Sequence, residues 1–192
     1  MIRSLTVPFA LCACIASVAP AAEFEAGHLF VTLGGTNRVV EFDQTGAIVA
    51  TFGETAPLSG AWGLAFLPDG QLLVASREND AMAVFATDRT FQGGFVPAGV
   101  DGPQGIDIGP AGRIYVGSTH NDAVIVLTPA FGSFDSIPGF PVWPIDGTTM
   151  LAFNADNRLL IGSFFNSHLL ECQDDGQATA DLTGLASAPE SV

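Results

Sequence analysis

Gly63-Leu64-Ala65-Phe66-Leu67-Pro68-Asp69-Gly70 is the stretch that decides the fold, because the chain repeats it. It returns as Gly105-Ile106-Asp107-Ile108-Gly109-Pro110-Ala111-Gly112, and more loosely as Met150-Leu151-Ala152-Phe153-Asn154-Ala155-Asp156-Asn157. The period is about 42 residues, the range in which repeated supersecondary units are recognised. Each copy runs straight into a second apolar stretch: Gln71 to Ser76, Arg113 to Ser118, Arg158 to Ser163. An earlier copy of that second stretch stands at His28-Leu29-Phe30-Val31-Thr32-Leu33.

Four short strands per unit follow from this pattern. The first strand ends in a tight-turn pair, Asp69-Gly70, Ala111-Gly112 or Asp156-Asn157, suited to the positive φ of close hairpins. The second ends at a polar turn containing Asn37, Asn79-Asp80, Asn121-Asp122 or Asn166-Ser167. Third strands are expected at 39–42, 82–85, 124–127 and 168–171, and weaker fourth strands at 48–52, 91–96, 132–137 and 178–182. A unit of this length with four strands reads as one blade of an all-β propeller, which buries its two faces only by stacking on neighbours. No long segment of helical period survives the 22 Gly and 12 Pro. The blades are expected at about 28–62, 63–104, 105–149 and 150–183. Phe66, Ile108 and Phe153 are expected in equivalent buried places between blades, with Phe66→Ala costing about 3–5 kcal/mol. Val74, Val116 and Ile161 are expected to be buried likewise.

Blade 1 starts at its second strand. Residues 184–192 carry only a first-strand pattern, Gly184-Leu185-Ala186 matching Gly63-Leu64-Ala65. They either close a small four-bladed ring against His28 to Leu33 or open a further blade of a larger, incomplete propeller. An unpaired blade edge would be open to association with another chain.

The N-terminus has the composition of a secretory signal over 1–21: Arg3, an apolar stretch from Leu5 to Val18, then Ala19-Pro20-Ala21. The mature propeller would occupy 22–192, secreted or periplasmic, starting near Ala22. A lipoprotein reading of Leu11-Cys12-Ala13-Cys14 is the alternative. No later stretch is long and apolar enough to span a membrane. Cleavage would leave Cys172 as the only cysteine, in an apolar strand where a thiol is inert and buried.

The chain carries 20 Asp plus Glu against 6 Arg and no Lys, a net charge of −14. Such a surface repels phosphate, which excludes nucleic acid as a partner. With 48% hydrophobic and 14% charged residues the chain is too apolar to be disordered.

Gly102-Pro103-Gln104-Gly105-Ile106-Asp107-Ile108, Gly112-Arg113-Ile114-Tyr115-Val116 and Asn121-Asp122 together resemble the NHL family of propeller repeats. The resemblance covers about His28 to Gly176. It implies the fold, and a superfamily of scaffolds, ligand binders, lactonases and lyases. The repeats are also similar to streptogramin lyases, whose activity relies on a His; none of His28, His120 or His168 stands at a matching place. Gluconolactonase-like propellers are similar too, and would imply a divalent ion in the central funnel. Their Asn ligand just before the first-strand Gly is replaced here by Trp62, Gln104 and Thr149. Calcium suits carboxylate oxygens in general, but no metal motif is matched and no cofactor is assigned.

Ser118, His120 and Asp122 alternate along one segment, where three groups stand too far apart for a triad. The three His fall at different repeat positions, which argues against a shared metal. Asp107 stands inside a first strand where other copies have Ala65, Ala152 and Ala186. It either accepts hydrogen bonds from an adjacent blade or faces the funnel near Trp62 and Gln104, with Arg77 or Arg113 as partner. Trp62, Gln104 and Asp107 are therefore the candidate ligand-binding residues, with no catalytic residue assigned. Trp143 lies near the corresponding loop. The function expected is that of an exported module binding a small molecule or protein across the blade tops. The alternatives are a cation-dependent lactonase-like hydrolase and a nonfunctional fragment of a longer propeller.

Overall fold

A computed structural model describes residues 23–128, 134–137, 146–174 and 176–183. The signal-like segment, Trp143 and the 184–192 segment lie outside the described residues. Among the described residues, fifteen strands form four antiparallel sheets, matching a β-propeller. Blade 1 holds β1 (Leu29–Leu33), β2 (Arg38–Phe42) and β3 (Ile48–Phe52). Blade 2 holds β4 (Ala61–Phe66), β5 (Leu72–Ser76), β6 (Ala81–Phe85) and β7 (Phe91–Phe95). Blade 3 holds β8 (Pro103–Ile108), β9 (Ile114–Ser118), β10 (Ala123–Leu127) and β11 (Phe134–Ile137). Blade 4 holds β12 (Thr148–Phe153), β13 (Leu159–Ser163), β14 (His168–Cys172) and β15 (Ala178–Asp181). Each blade is a meander in chain order, and blade 1 has three strands among the described residues. No helix among the described residues is long and apolar enough to cross a membrane.

The second strands of blades 2 and 3 are apolar on both faces because each face meets a different neighbour. In β5, Leu72 and Val74 join Phe30, Val39 and Phe52 of blade 1, while Leu73 and Ala75 join Ile114, Val116 and Ile125 of blade 3. In β9 the alternation repeats: Tyr115 faces Leu159, Ile161 and Leu170 of blade 4. Val74, Val116 and Ile161 are fully buried. Burying each such side chain contributes roughly 1.5–3 kcal/mol, so the core is three apolar layers between four sheets. Cys172 belongs to the last layer and is free and buried.

Phe66 departs from expectation. It is 41% exposed and packs edge-on against Phe24 and Phe30, with ring centroids 5.5 and 5.0 Å away. Ile108 and Phe153 are half-buried. The reason is local: Phe66 ends β4, and on that side the described residues offer it Phe24 and Phe30. The interblade core is carried by second strands instead, and truncating Phe66 costs less than a core Phe.

Two sets of polar contacts hold blade to loop and blade to blade. Ser76, Ser118 and Ser163 end their second strands buried, and each hydroxyl accepts a backbone N–H from Ser59, Asp101 or Asp146 at 2.7–2.8 Å. Asn37, Asp80 and Asp122 stand at φ of 55–58°, and each Oδ1 accepts the N–H of Gly60, Gly102 or Gly147 in the next blade at 2.7 Å. Those turn residues are short polar groups because the left-handed region favours them.

Candidate functional site

The first strands β4, β8 and β12 approach one another closely along the inner edge of blades 2–4. A Cβ on Gly63 would stand 1.9 Å from the Gln104 carbonyl oxygen, and one on Gly105 would stand 2.8 Å from that of Thr149. Glycine is required at both places for lack of room. Beside this contact opens a cavity of about 560 Å³. Its floor is the triplets Trp62-Gly63-Leu64, Gln104-Gly105-Ile106 and Thr149-Met150-Leu151, one from each first strand. Its rim comes from the turns after the second strands: Arg77, Thr119, and Phe164 with Phe165.

Repeat geometry sets the rim. Backbone N–H groups of Arg77, Thr119 and Phe164 donate to the carbonyls of Gly60, Gly102 and Gly147, so the three turns present equivalent positions. Nothing in the turn itself calls for aromatics there, yet Phe164 and Phe165 are 66% and 65% exposed, their rings edge-on at 5.3 Å. Trp62 is 47% exposed on the opposite side, with the Arg77 guanidinium 5.6 Å from its ring centroid. Arg77 Nη1 donates to Glu78 Oε1 at 3.1 Å and Nη2 to His120 Nε2 at 3.2 Å. An Arg can only donate, so His120 carries its proton on Nδ1, which donates to Asp101 Oδ1 at 3.0 Å. The Gln104 amide and the Thr148 carbonyl each lie 2.8 Å from Thr119 Oγ1, and these contacts hold the amide against the wall.

Trp62 and Gln104 thus line the cavity, together with Thr149. Asp107 does not. Its Oδ1 accepts the N–H of Ile108 at 2.8 Å, and its Oδ2 accepts that of Phe153 in blade 4 at 2.6 Å. The carboxylate ties two first strands together at the end of the strand away from Gln104. Among the described residues its partners are these two amides, not Arg77 or Arg113. Sequence reasoning had singled out neither Thr119 nor the Phe164–Phe165 pair. Aligning the turns after second strands gives the missing signal: Gly34-Gly35, Arg77-Glu78, Thr119-His120, then Phe164-Phe165.

The histidines and the alternating triplet stay apart. His28 pairs with Glu41, His120 with Asp101, and His168 with Asp181. Ser118 staples Asp101 and Asp122 holds Gly147, so neither faces His120 as a triad partner. Among the described residues, no three His, Cys, Asp or Glu side chains are grouped to hold a metal. Burial, and then the neighbouring Glu171 charge, push the Cys172 thiol up to about 12, which keeps it a neutral thiol.

No protein-family model and no curated protein matches the sequence. Solved structures do match. A streptogramin B lyase superposes with a TM-score of 0.68 at 19% identity, over 82% of this chain and 52% of its own. A catalytically inactive virginiamycin B lyase from Staphylococcus aureus, solved with quinupristin, gives 0.67 at 15% identity over 79% and 50%. Hydrazine synthase of Kuenenia stuttgartiensis gives 0.62 at 16% identity over 91% and 52%. The chain spans about half the length of these structures. At such identities the likeness is one of fold: the chain folds as a β-propeller, as these structures do.

Proposed function

We propose that this is an exported, NHL-type propeller module that binds a small molecule in the cavity between the inner ends of blades 2–4. The observation that carries the reading is the exposed aromatic wall. Trp62, Met150, Phe164 and Phe165 all bound one concave space and are all strongly exposed. Exposed apolar side chains gathered at one place mark a binding surface, whereas single ones do not. A volume of about 560 Å³ falls within the range of small-molecule sites. Three rigid sheets supply the wall, so the site is formed before the ligand arrives and little ordering entropy opposes binding. Gln104, fixed by Thr119, and Arg77 add the few polar groups that orient a ligand.

Titration with 2-naphthamide, a neutral flat probe, tests the reading by calorimetry. Saturable binding is expected, weakened at least tenfold in Phe164→Ala/Phe165→Ala, whose side chains are exposed and not needed for folding. In Trp143→Phe, Trp62 remains as the only Trp, and its fluorescence should change with the same affinity. Absence of saturable binding, or binding indifferent to the Phe pair and to Trp62, overturns the proposal. Export is checked by sequencing the N-terminus of secreted protein, which is expected near Ala22.

A further inference from the structure

Among the described residues the cavity carries one formal charge, and that charge bears on what its ligand carries. We infer that the cavity selects flat apolar anions, aryl carboxylates as a class, with Arg77 reading the charge. This rests on the small-molecule reading above.

Among the described residues, Arg77 is the one ionisable side chain lining the cavity. Its side chain is 25% exposed, and its guanidinium lies over the Trp62 ring, 5.6 Å from the centroid. Glu78 and His120 each take a hydrogen bond from a terminal nitrogen, which fixes the plane of the guanidinium. Nε is buried and has no hydrogen-bond partner among the described residues. Each terminal nitrogen keeps a second N–H beyond these bonds, and a carboxylate brought against the guanidinium from the cavity supplies an acceptor. Arginine suits that task because its planar fork meets a carboxylate with two parallel bonds and still stacks on an aromatic face. Glu78 competes weakly: its side chain is 54% exposed, it lies off the cavity wall, and exposed ion pairs contribute little. The aromatic wall supplies affinity for a ring, while the guanidinium discriminates charge. Elsewhere the surface of a chain with net charge −14 disfavours anions, which confines their binding to this place.

Calorimetric titration of the full chain with 2-naphthoate and 2-naphthamide, equal in ring and differing in charge, tests the inference. The naphthoate is expected to bind at least tenfold more tightly. Arg77→Gln should bring its affinity within about twofold of that of the naphthamide measured on the same variant. Arg77→Lys, which keeps the charge and loses the fork, should fall between. Glu78→Gln should tighten naphthoate binding, because the guanidinium loses a competing carboxylate. Thermal melting of each variant checks that the fold is kept. Equal affinity for both probes, tighter binding of the amide, or indifference of naphthoate to Arg77→Gln overturns the anion inference while the cavity reading stands. Failure of both probes to bind overturns the two together.

Discussion

At the scale of single residues, the charged group that matters most for folding lies away from the cavity. Glu41 is fully buried in β2. Its Oε1 accepts from His28 Nδ1 at 2.7 Å, and its Oε2 accepts from Arg89 Nε at 2.6 Å, across the junction of blades 1 and 2. Burial alone would raise its pKa, but the hydrogen bonds and charges of Arg89 and His28 outweigh burial and hold it below the usual carboxylate value. A depressed carboxylate stabilises the fold above its unfolded pKa, and this contribution is lost as pH falls through the folded value. Glu41→Gln is therefore expected to cost on the order of 2 kcal/mol near neutral pH, the range for hydrogen bonds to charged groups. Urea denaturation at pH 7 and in acid checks it. The gap between the two proteins should narrow below about pH 4, as the wild-type carboxyl takes up its proton.

At the scale of elements, each blade is held to the next by a turn residue as well as by apolar area. Asp80 ends the turn after β5 and accepts the Gly102 N–H in the loop entering β8. Gly102 is buried with φ +65°, and a Cβ there would stand 2.6 Å from the His120 ring. Nothing wider than glycine fits, and among the described residues its N–H is taken up by Asp80 Oδ1. Asp80→Ala should lose about 1–3 kcal/mol, the cost of a buried unpaired donor. Asp80→Asn, which keeps the oxygen, should retain most of the stability. Equal losses in both, measured by urea denaturation, would show that the charge of Asp80 and not its bond matters.

At the scale of the molecule, contacts between sheets join consecutive blades: β1 with β4, β4 with β8, and β8 with β12. A structure whose units touch mainly their neighbours has stability that is highest where a unit is covered on both sides. Blades 2 and 3 are sandwiched, and β5 and β9 are buried along their whole length. Amide exchange is expected to be slowest at Val74, Val116 and Ile125, and fastest in the outer strands β3 and β15. Uniform protection across all four blades would mean a single cooperative unit instead. Whether residues 184–192 pair with His28 to Leu33 falls outside the described residues.

The sequence by itself determined the repeat, the strand order within a blade and the buried second strands. Those properties are local and recur, so a period of about 42 residues and the two-residue alternation display them directly. It also pointed to Trp62 and Gln104, because both precede the glycine of a first strand. Tertiary structure decided everything that depends on which blade faces which. Phe66 and Phe153 hold equivalent places in the repeat, yet Phe66 is exposed beside a blade whose described part has three strands. Asp107 and Gln104 are three positions apart on one strand, yet one bonds the next blade and the other lines the cavity. Arg77, Phe164 and Phe165 lie far apart in sequence and meet only because three sheets converge at their inner edges. A periodic pattern records the neighbours within a blade; the geometry between blades follows from how the sheets stack, which no single repeat encodes.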